Sequence, residues 1–320
     1  MKQPQDVVMY ILYPWFMMLL FLVAGISARY ALQKQSAKEF IKARTTKLLV
    51  PSTIGLFVFQ WMVGYFNTRI ANPFEGFPLL IKWPLLSISG CGPLWFIQDL
   101  WLFSVMLVLI RKLDKNDRFY DWCGKASATV IILLGILVWA GSQAVIMNPR
   151  LESADGLFNL YKPLTYFIPF LLGYFVFSHD EVQERVEKMH LPMLFCAVIA
   201  GAALVWTGWG KCNTDPQFLA GWLNCLYAWL MILAMLGCFK AWFDRSGRFA
   251  SYMSRSSFGI YIVHYLVVVA FGTMLKEFIL LPPWADYVIL AIAVLTLSPA
   301  LYELLRRIPF IRWCVFGEKG

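Results

Sequence analysis

Six stretches of this chain run for 20 residues or more without one charged side chain: Val7–Ala28, Leu48–Thr68, Ala126–Met147, Leu191–Gly210, Pro216–Phe239 and Ser256–Leu275. Crossing about 30 Å of hydrocarbon takes roughly 20 apolar residues as a helix. Three further segments, Pro93–Ile110, Pro163–Ser178 and about 285–302, are shorter or carry one charge. Lipid offers no partner for loose backbone N–H and C=O groups, so each of these segments must be helical. The expected fold is therefore all-α, a polytopic transmembrane bundle of about nine spans. Several spans contain proline (Pro14, Pro51, Pro169, Pro299), which is harmless at a span's end and predicts a kink when deeper.

Composition agrees. Of 320 residues 60% are hydrophobic and 15% charged, where an ordinary soluble domain carries roughly 25% charge. Mean hydropathy is +0.63. No stretch between the apolar segments is long enough for a soluble domain. The seven cysteines show neither CxxC nor metal-ligand spacing, so no metal site is expected. Cys91 and Cys212 fall on the same predicted side and could pair there; buried thiols are the simpler reading for the rest.

Lysine and arginine set the topology. Assigning alternate loops to alternate sides places 21 of the 28 basic residues on one side, in segments 29–47, 111–125, 179–190, 240–256 and 306–320. Lys2, Arg69, Lys82, Arg150, Lys162, Lys211 and Lys276 occupy the other. Such bias in short loops marks the richer side as cytoplasmic, the C-terminus included. The net charge of +9 then reflects topology and anionic lipid, with no call for nucleic acid. This arrangement puts the N-terminus outside behind only Met1–Asp6, without a signal peptide. One more helix ahead of the first span would make the charge pattern regular.

Three polar constellations interrupt the apolar background. After the first span, Ser36 and Glu39 form a capping box, so a helix should start there. Arg44 and Lys47 follow, three residues apart at the membrane surface. A guanidinium and an ammonium together suit a phosphate-bearing ligand; from spacing alone, a basic stripe against anionic headgroups is the favoured reading. In the late span, Ser257, Tyr261 and His264 fall at i, i+4 and i+7 on one stripe. His264 should lie roughly 10–12 Å from the helix start. An ionisable group inside a span points to function, and histidine can serve as a general base; an interhelical hydrogen bond is the structural alternative. Trp95, Gln98 and Asp99 share a face of a third helix, with Asp99 about two turns in from its outer end. Asp99 could orient a histidine, bind an acceptor or pair with a cation. His179 and His190 fall in a charged loop, where solvation is expected.

In this order the segments resemble the acyltransferase 3 family, multi-span enzymes that O-acylate surface polysaccharides, glucans, antibiotics and related molecules. Phe21–Ser27 looks like its "FFxxSG" segment, and Arg44–Pro51 like its RxxR-and-proline motif. Leu94–Ile97 looks like "LWFL", and Ser257–His264 like its SxxxYxxH helix. The resemblance spans nearly the whole chain, residues 1–320, as one transmembrane domain. It implies an acyltransferase of groups other than aminoacyl groups, with no bound cofactor and acyl-CoA as cosubstrate, in the cell (plasma or inner) membrane. Arg44 and Lys47 would hold CoA phosphates on the cytoplasmic side. His264, Tyr261, Ser257 and Asp99 would serve catalysis, and Trp95 and Gln98 a hydroxyl-bearing acceptor such as a carbohydrate. Two departures stand out. Lys47 replaces the second arginine, a point charge in place of a bidentate fork. The family's first helix, which carries a basic residue and a histidine, is missing from this chain, which leads to an expectation of little transfer by the chain alone. A small-solute transporter or flippase, or an inactive partner subunit, remains the alternative.

The charge partition predicts that topology reporters fused after residues 118 and 248 read cytoplasmic, and those near 150 and 213 read outside. Reporters at 118 and 150 reading the same side would show the span count to be wrong.

Overall fold

The computed structural model describes residues 6–69, 73–147, 163–244, 247–278 and 282–318. Lys2, Arg150, Lys162, Arg245 and Lys319, counted above for topology, lie outside them. Regular structure among the described residues is helical throughout. Eight helices among the described residues are long and apolar enough to cross a membrane. In chain order these and the shorter helices named below are α1 (Val7–Lys34), α2 (Ala37–Thr68), α3 (Leu79–Ser89), α4 (Leu94–Arg111), α5 (Ala128–Ile146) and α6 (Leu164–Phe175). Then come α7 (Asp180–Lys188), α8 (His190–Gly208), α9 (Trp222–Phe243), α10 (Arg248–Glu277), α11 (Trp284–Leu305) and α12 (Pro309–Cys314). The segment expected as a ninth span, Pro163–Ser178, is the short α6, which opens as a 3₁₀ turn over Pro163–Tyr166. Its length reaches only about 18 Å. Helix α2 begins at Ala37, as the capping box at Ser36 and Glu39 predicts.

The chain divides into two compact units, Met1–Ala37 with Val105–Arg245, and Lys38–Ser104 with Ser246–Gly320. In the first unit α1 and α6 cross at glycines. A Cβ on Gly25 would meet the Phe170 carbonyl oxygen at 2.0 Å, and one on Gly173 would meet that of Leu22 at 2.0 Å. Helices in lipid associate through such close backbone approach, because burying apolar surface gains nothing there. Near the end of α1 the buried Arg29 guanidinium pairs with Asp117 at 3.0 Å and lies 3.5 Å from the Tyr120 ring centre. It also bonds the Tyr174 hydroxyl at 3.3 Å.

His179 departs from the solvated loop expected for it. Its ring is half-buried, stacked 3.9 Å from Tyr120, and its Nε2–H donates to the Tyr120 carbonyl at 3.0 Å. His190 is likewise half-buried, with its Nδ1 on the Glu187 carbonyl and its ring edge-on to Trp242. The intervening segment is the amphipathic α7, which buries Val182 and Val186. All seven cysteines are free thiols, so Cys91 and Cys212 do not pair.

Gly25→Val or Gly173→Val should destabilise the protein in detergent by about 1–3 kcal/mol, the usual cost of overpacking. Gly272→Ala, whose Cβ would enter open space, should leave the unfolding midpoint unchanged. Equal midpoints for all three variants would show that the crossing does not depend on glycine.

Candidate active site

Every site residue expected from the sequence falls in the second unit, on α2, α4 and α10. Helix α2 is not a regular α-helix. Directly after Arg44, Thr45–Leu49 form a π-helical turn, and Leu56–Gln60 form another. Pro51 accounts for the first. It has no N–H for the Lys47 carbonyl, and its ring would clash with that carbonyl in a straight helix. The Val50 N–H bonds instead to the Thr45 carbonyl, five residues back. Such turns recur at functional sites because they push out a side chain that an α-helix would hold in register. Half-buried Arg44 lies 5.2 Å from the Phe40 ring, and exposed Lys47 has its Nζ 5.5 Å from the Phe258 ring on α10. The chain following α12 rests on this turn. At Gly317 (φ +61°) a Cβ would sit 2.6 Å from the Thr46 carbonyl oxygen and 2.7 Å from the Lys47 Cα, which excludes any side chain there.

Helices α3 and α4 run antiparallel to α2 as one interrupted rod. Gly64 lies against the Leu86 carbonyl and Gly90 against the Gln60 carbonyl. Further along, Gln98 Nε2–H donates to the Ser52 carbonyl at 3.3 Å, and Trp101 Nε1–H to the Thr45 hydroxyl at 3.0 Å. One register therefore holds from α3 into α4, and the interruption at Gly90–Pro93 lies alongside the second π-turn, not at the end of α2. This corrects the expected depth of Asp99. The span expected over Pro93–Ile110 is preceded by α3, a helix in the segment between it and Leu48–Thr68. Asp99 instead comes level with Pro51 and Ser52, near the middle of α2. Its carboxylate forms no ion pair or hydrogen bond among the described residues.

Helix α10 closes over the interruption. The Tyr261 hydroxyl donates to the Pro93 carbonyl at 2.5 Å, and its ring meets Phe96 edge-on at 5.5 Å. One turn on, the Tyr265 ring packs on Gly92, where a Cβ would come within 2.9 Å of it. His264 lies between these tyrosines in sequence, with Nδ1 2.5 Å from the Tyr261 carbonyl. A carbonyl only accepts, so Nδ1 carries the proton, and the neutral ring presents a basic Nε2. Nε2 makes no hydrogen bond among the described residues. Ser257 does not join this group: it is exposed, and its hydroxyl turns back to the Ser254 carbonyl at 3.1 Å. The buried serine is its neighbour Ser256. Because α10 starts at Arg248, not near Ser256, His264 lies about 24 Å along the helix and not 10–12 Å. It stands six residues, about 9 Å, beyond Phe258 and hence beyond Lys47.

Trp95 opens α4 with its ring 6.4 Å from that of Phe96. Two residues escaped the sequence reading. Trp101 ties α4 to the first π-turn. Gln60, an amide deep in a charge-free span, is 1% exposed, and neither its oxygen nor its nitrogen has a partner among the described residues. Its position in an otherwise uncharged run was the available signal; the π-turn that carries it leaves no mark in the sequence.

Comparison with known proteins gives one match. The acyltransferase 3 model, described as an acyltransferase domain, matches residues 2–303. No curated protein and no solved structure matches the chain. With nearly its full length covered by that match, on a multi-pass helical bundle, the chain belongs to the acyltransferase 3 family.

Proposed function

We propose that the protein is a membrane O-acyltransferase that moves an acyl group from acyl-CoA to a hydroxyl of an acceptor on the other side of the membrane, such as a glycan. The observation that carries this is the placement of His264: its Nδ1 lies on the Tyr261 carbonyl, which leaves Nε2 as the basic nitrogen, about 9 Å along α10 beyond Phe258, whose ring the Lys47 ammonium meets. The basic end of the second unit is the cytoplasmic one, in the cell membrane, with the C-terminus on the same side. Arg44 and Lys47 hold the CoA phosphates there, and the pantetheine arm carries the thioester inward.

In the reaction, Nε2 of His264 takes the proton of the acceptor hydroxyl as its oxygen attacks the thioester carbonyl. The C–S bond then breaks. The imidazolium returns the proton to the departing sulfur, leaving an ester and free CoA. Asp99, level with Pro51 and so on the Lys47 side of His264, favours the imidazolium formed in the first step. Tyr261 is a positioning residue that ties the histidine's helix to the α3–α4 interruption. Gln98, bonded to Ser52, positions α4, and Trp95 lines the acceptor side.

Acyl-CoA binding tests the donor end. Arg44→Ala with Lys47→Ala should weaken it roughly 10-fold or more, and wild-type binding should fall as salt rises. Equal affinity of wild type and double variant would return the pair to lipid headgroups. A protein that moves a solute and never binds acyl-CoA would favour the transporter reading. At the centre, His264→Ala should cut turnover by roughly 10²-fold or more with membrane insertion unchanged, because the hydrogen bond it loses is to a carbonyl of its own helix. Full turnover by that variant would make the histidine structural.

A further inference from the structure

We infer that Gln60 and the α3–α4 interruption form the acceptor's subsite, on the side of His264 away from Lys47, and that it takes a neutral polyhydroxyl group, a saccharide. The inference rests on the acyltransferase reading for its direction and on three structural observations for its place.

The first is the interruption itself. Non-helical backbone at membrane depth is tolerated only where protein buries it or where it lines a polar cavity, and interrupted helices form binding sites in other membrane proteins. The second is Gln60. A buried amide with both ends unpartnered is costly to keep, yet this one sits on the π-turn that abuts Gly90.

Its direction follows from helix geometry. Gly64 faces the Leu86 carbonyl, and Gln60, which caps the regular stretch Trp61–Thr68 one turn earlier, shares that face. A helical side chain tilts toward its helix N-terminus. Gln60 therefore leans from the level of Gly90 toward that of Cys91–Leu94, since Ser52 already lies opposite Gln98. The third observation is order along the unit. Lys47 meets Phe258, Tyr261 and Tyr265 flank the interruption, and Arg69 pairs with Glu277 at 2.9 Å at the far end. Gln60 thus stands beyond His264 on the path from Lys47 to Arg69. An amide both donates and accepts, as a hydroxyl does. A saccharide could place one hydroxyl at His264 Nε2 and a neighbouring one on Gln60.

Cys91, half-buried within the interruption, is the probe. Cells carrying the wild-type chain are treated from outside with a membrane-impermeant thiol reagent, and labelling of Cys91 is read by peptide mass spectrometry. Cys91 should be modified, and methyl β-glucoside should slow the modification at least threefold in wild type but not in Gln60→Met. Labelling only after the membrane is opened, or equal protection in both chains, overturns the subsite. In purified protein, Gln60→Met should raise the saccharide KM tenfold or more, leave the acyl-CoA KM within twofold and not lower the unfolding midpoint. A lowered midpoint with an unchanged saccharide KM assigns Gln60 to structure and also overturns it. Protection of Cys91 in a protein that does not bind acyl-CoA would remove the acyltransferase reading and retain the saccharide site.

Discussion

The Tyr261 hydroxyl on the Pro93 carbonyl is the contact around which the second unit is arranged. Backbone groups in hydrocarbon must find partners within the protein, and the interruption at Gly90–Pro93 breaks the ladder that normally supplies them. The break is closed locally where it can be. Gly90 N–H reaches the Leu86 carbonyl at 2.9 Å, Cys91 N–H that of Ile88 at 3.0 Å, and Leu94 N–H that of Cys91 at 2.8 Å. Pro93 has no N–H to satisfy, and its carbonyl is met by Tyr261 from another helix. Gly92 makes the turn at positive φ and leaves room for the Tyr265 ring. The same two tyrosines that seal the break bracket the one histidine on α10, so the position of His264 and the integrity of the break depend on the same packing.

Helix α2 is the other half of that arrangement. Its π-turns let it follow α3 and α4 in one register while turning Lys47 toward Phe258 and Gln60 toward Gly90. Thr45 carries two duties at the first of them: its hydroxyl donates to the Ile41 carbonyl at 2.8 Å and accepts from Trp101. The chain end holds the outer side of the same turn. Cys314, Val315 and Phe316 pack with Phe59, Ile262, Val263 and Tyr302 into one buried cluster, and the Tyr302 ring lies on Gly259 of α10. Tyr302 in turn donates to Glu318 at 2.9 Å. A change in α12 therefore bears directly on the basic motif.

Charge-free length made the spans legible, because hydrocarbon admits few other solutions, and spacing made the Tyr261–His264 stripe legible, because a helix of known period was certain there. The errors have equally physical origins. Segment 69–92 carries Lys82, Pro78 and Pro84 and reads as a loop, yet its glycine-compatible face docks on Gly64 and forms α3. Asp99 was misplaced as a consequence, since depth along a rod depends on where the rod begins. Ser257 shares the stripe of Tyr261 by period, but its short hydroxyl is taken by its own helix at Ser254. His179 lies in a charged sequence, yet Tyr120, far away in the chain, stacks on it. Contacts of that range leave no local trace.

Along α2 the polar groups change character in a physically sensible order. Charged Arg44 and Lys47 stand at one end of α2; a fixed charge deeper in would face a heavy desolvation cost. Farther in come Asp99 and the His264 imidazole, whose positive charge need exist only while it holds the acceptor's proton. Beyond them is Gln60, which never ionises. An acyl thioester is itself graded this way, with its charge confined to the phosphates and its reacting carbonyl neutral. Were acyl-CoA the donor, as proposed above, a bundle that holds charge at one end and hydrogen-bonding groups at its centre would admit the reactive end to meet a neutral hydroxyl without drawing the phosphates through the hydrocarbon.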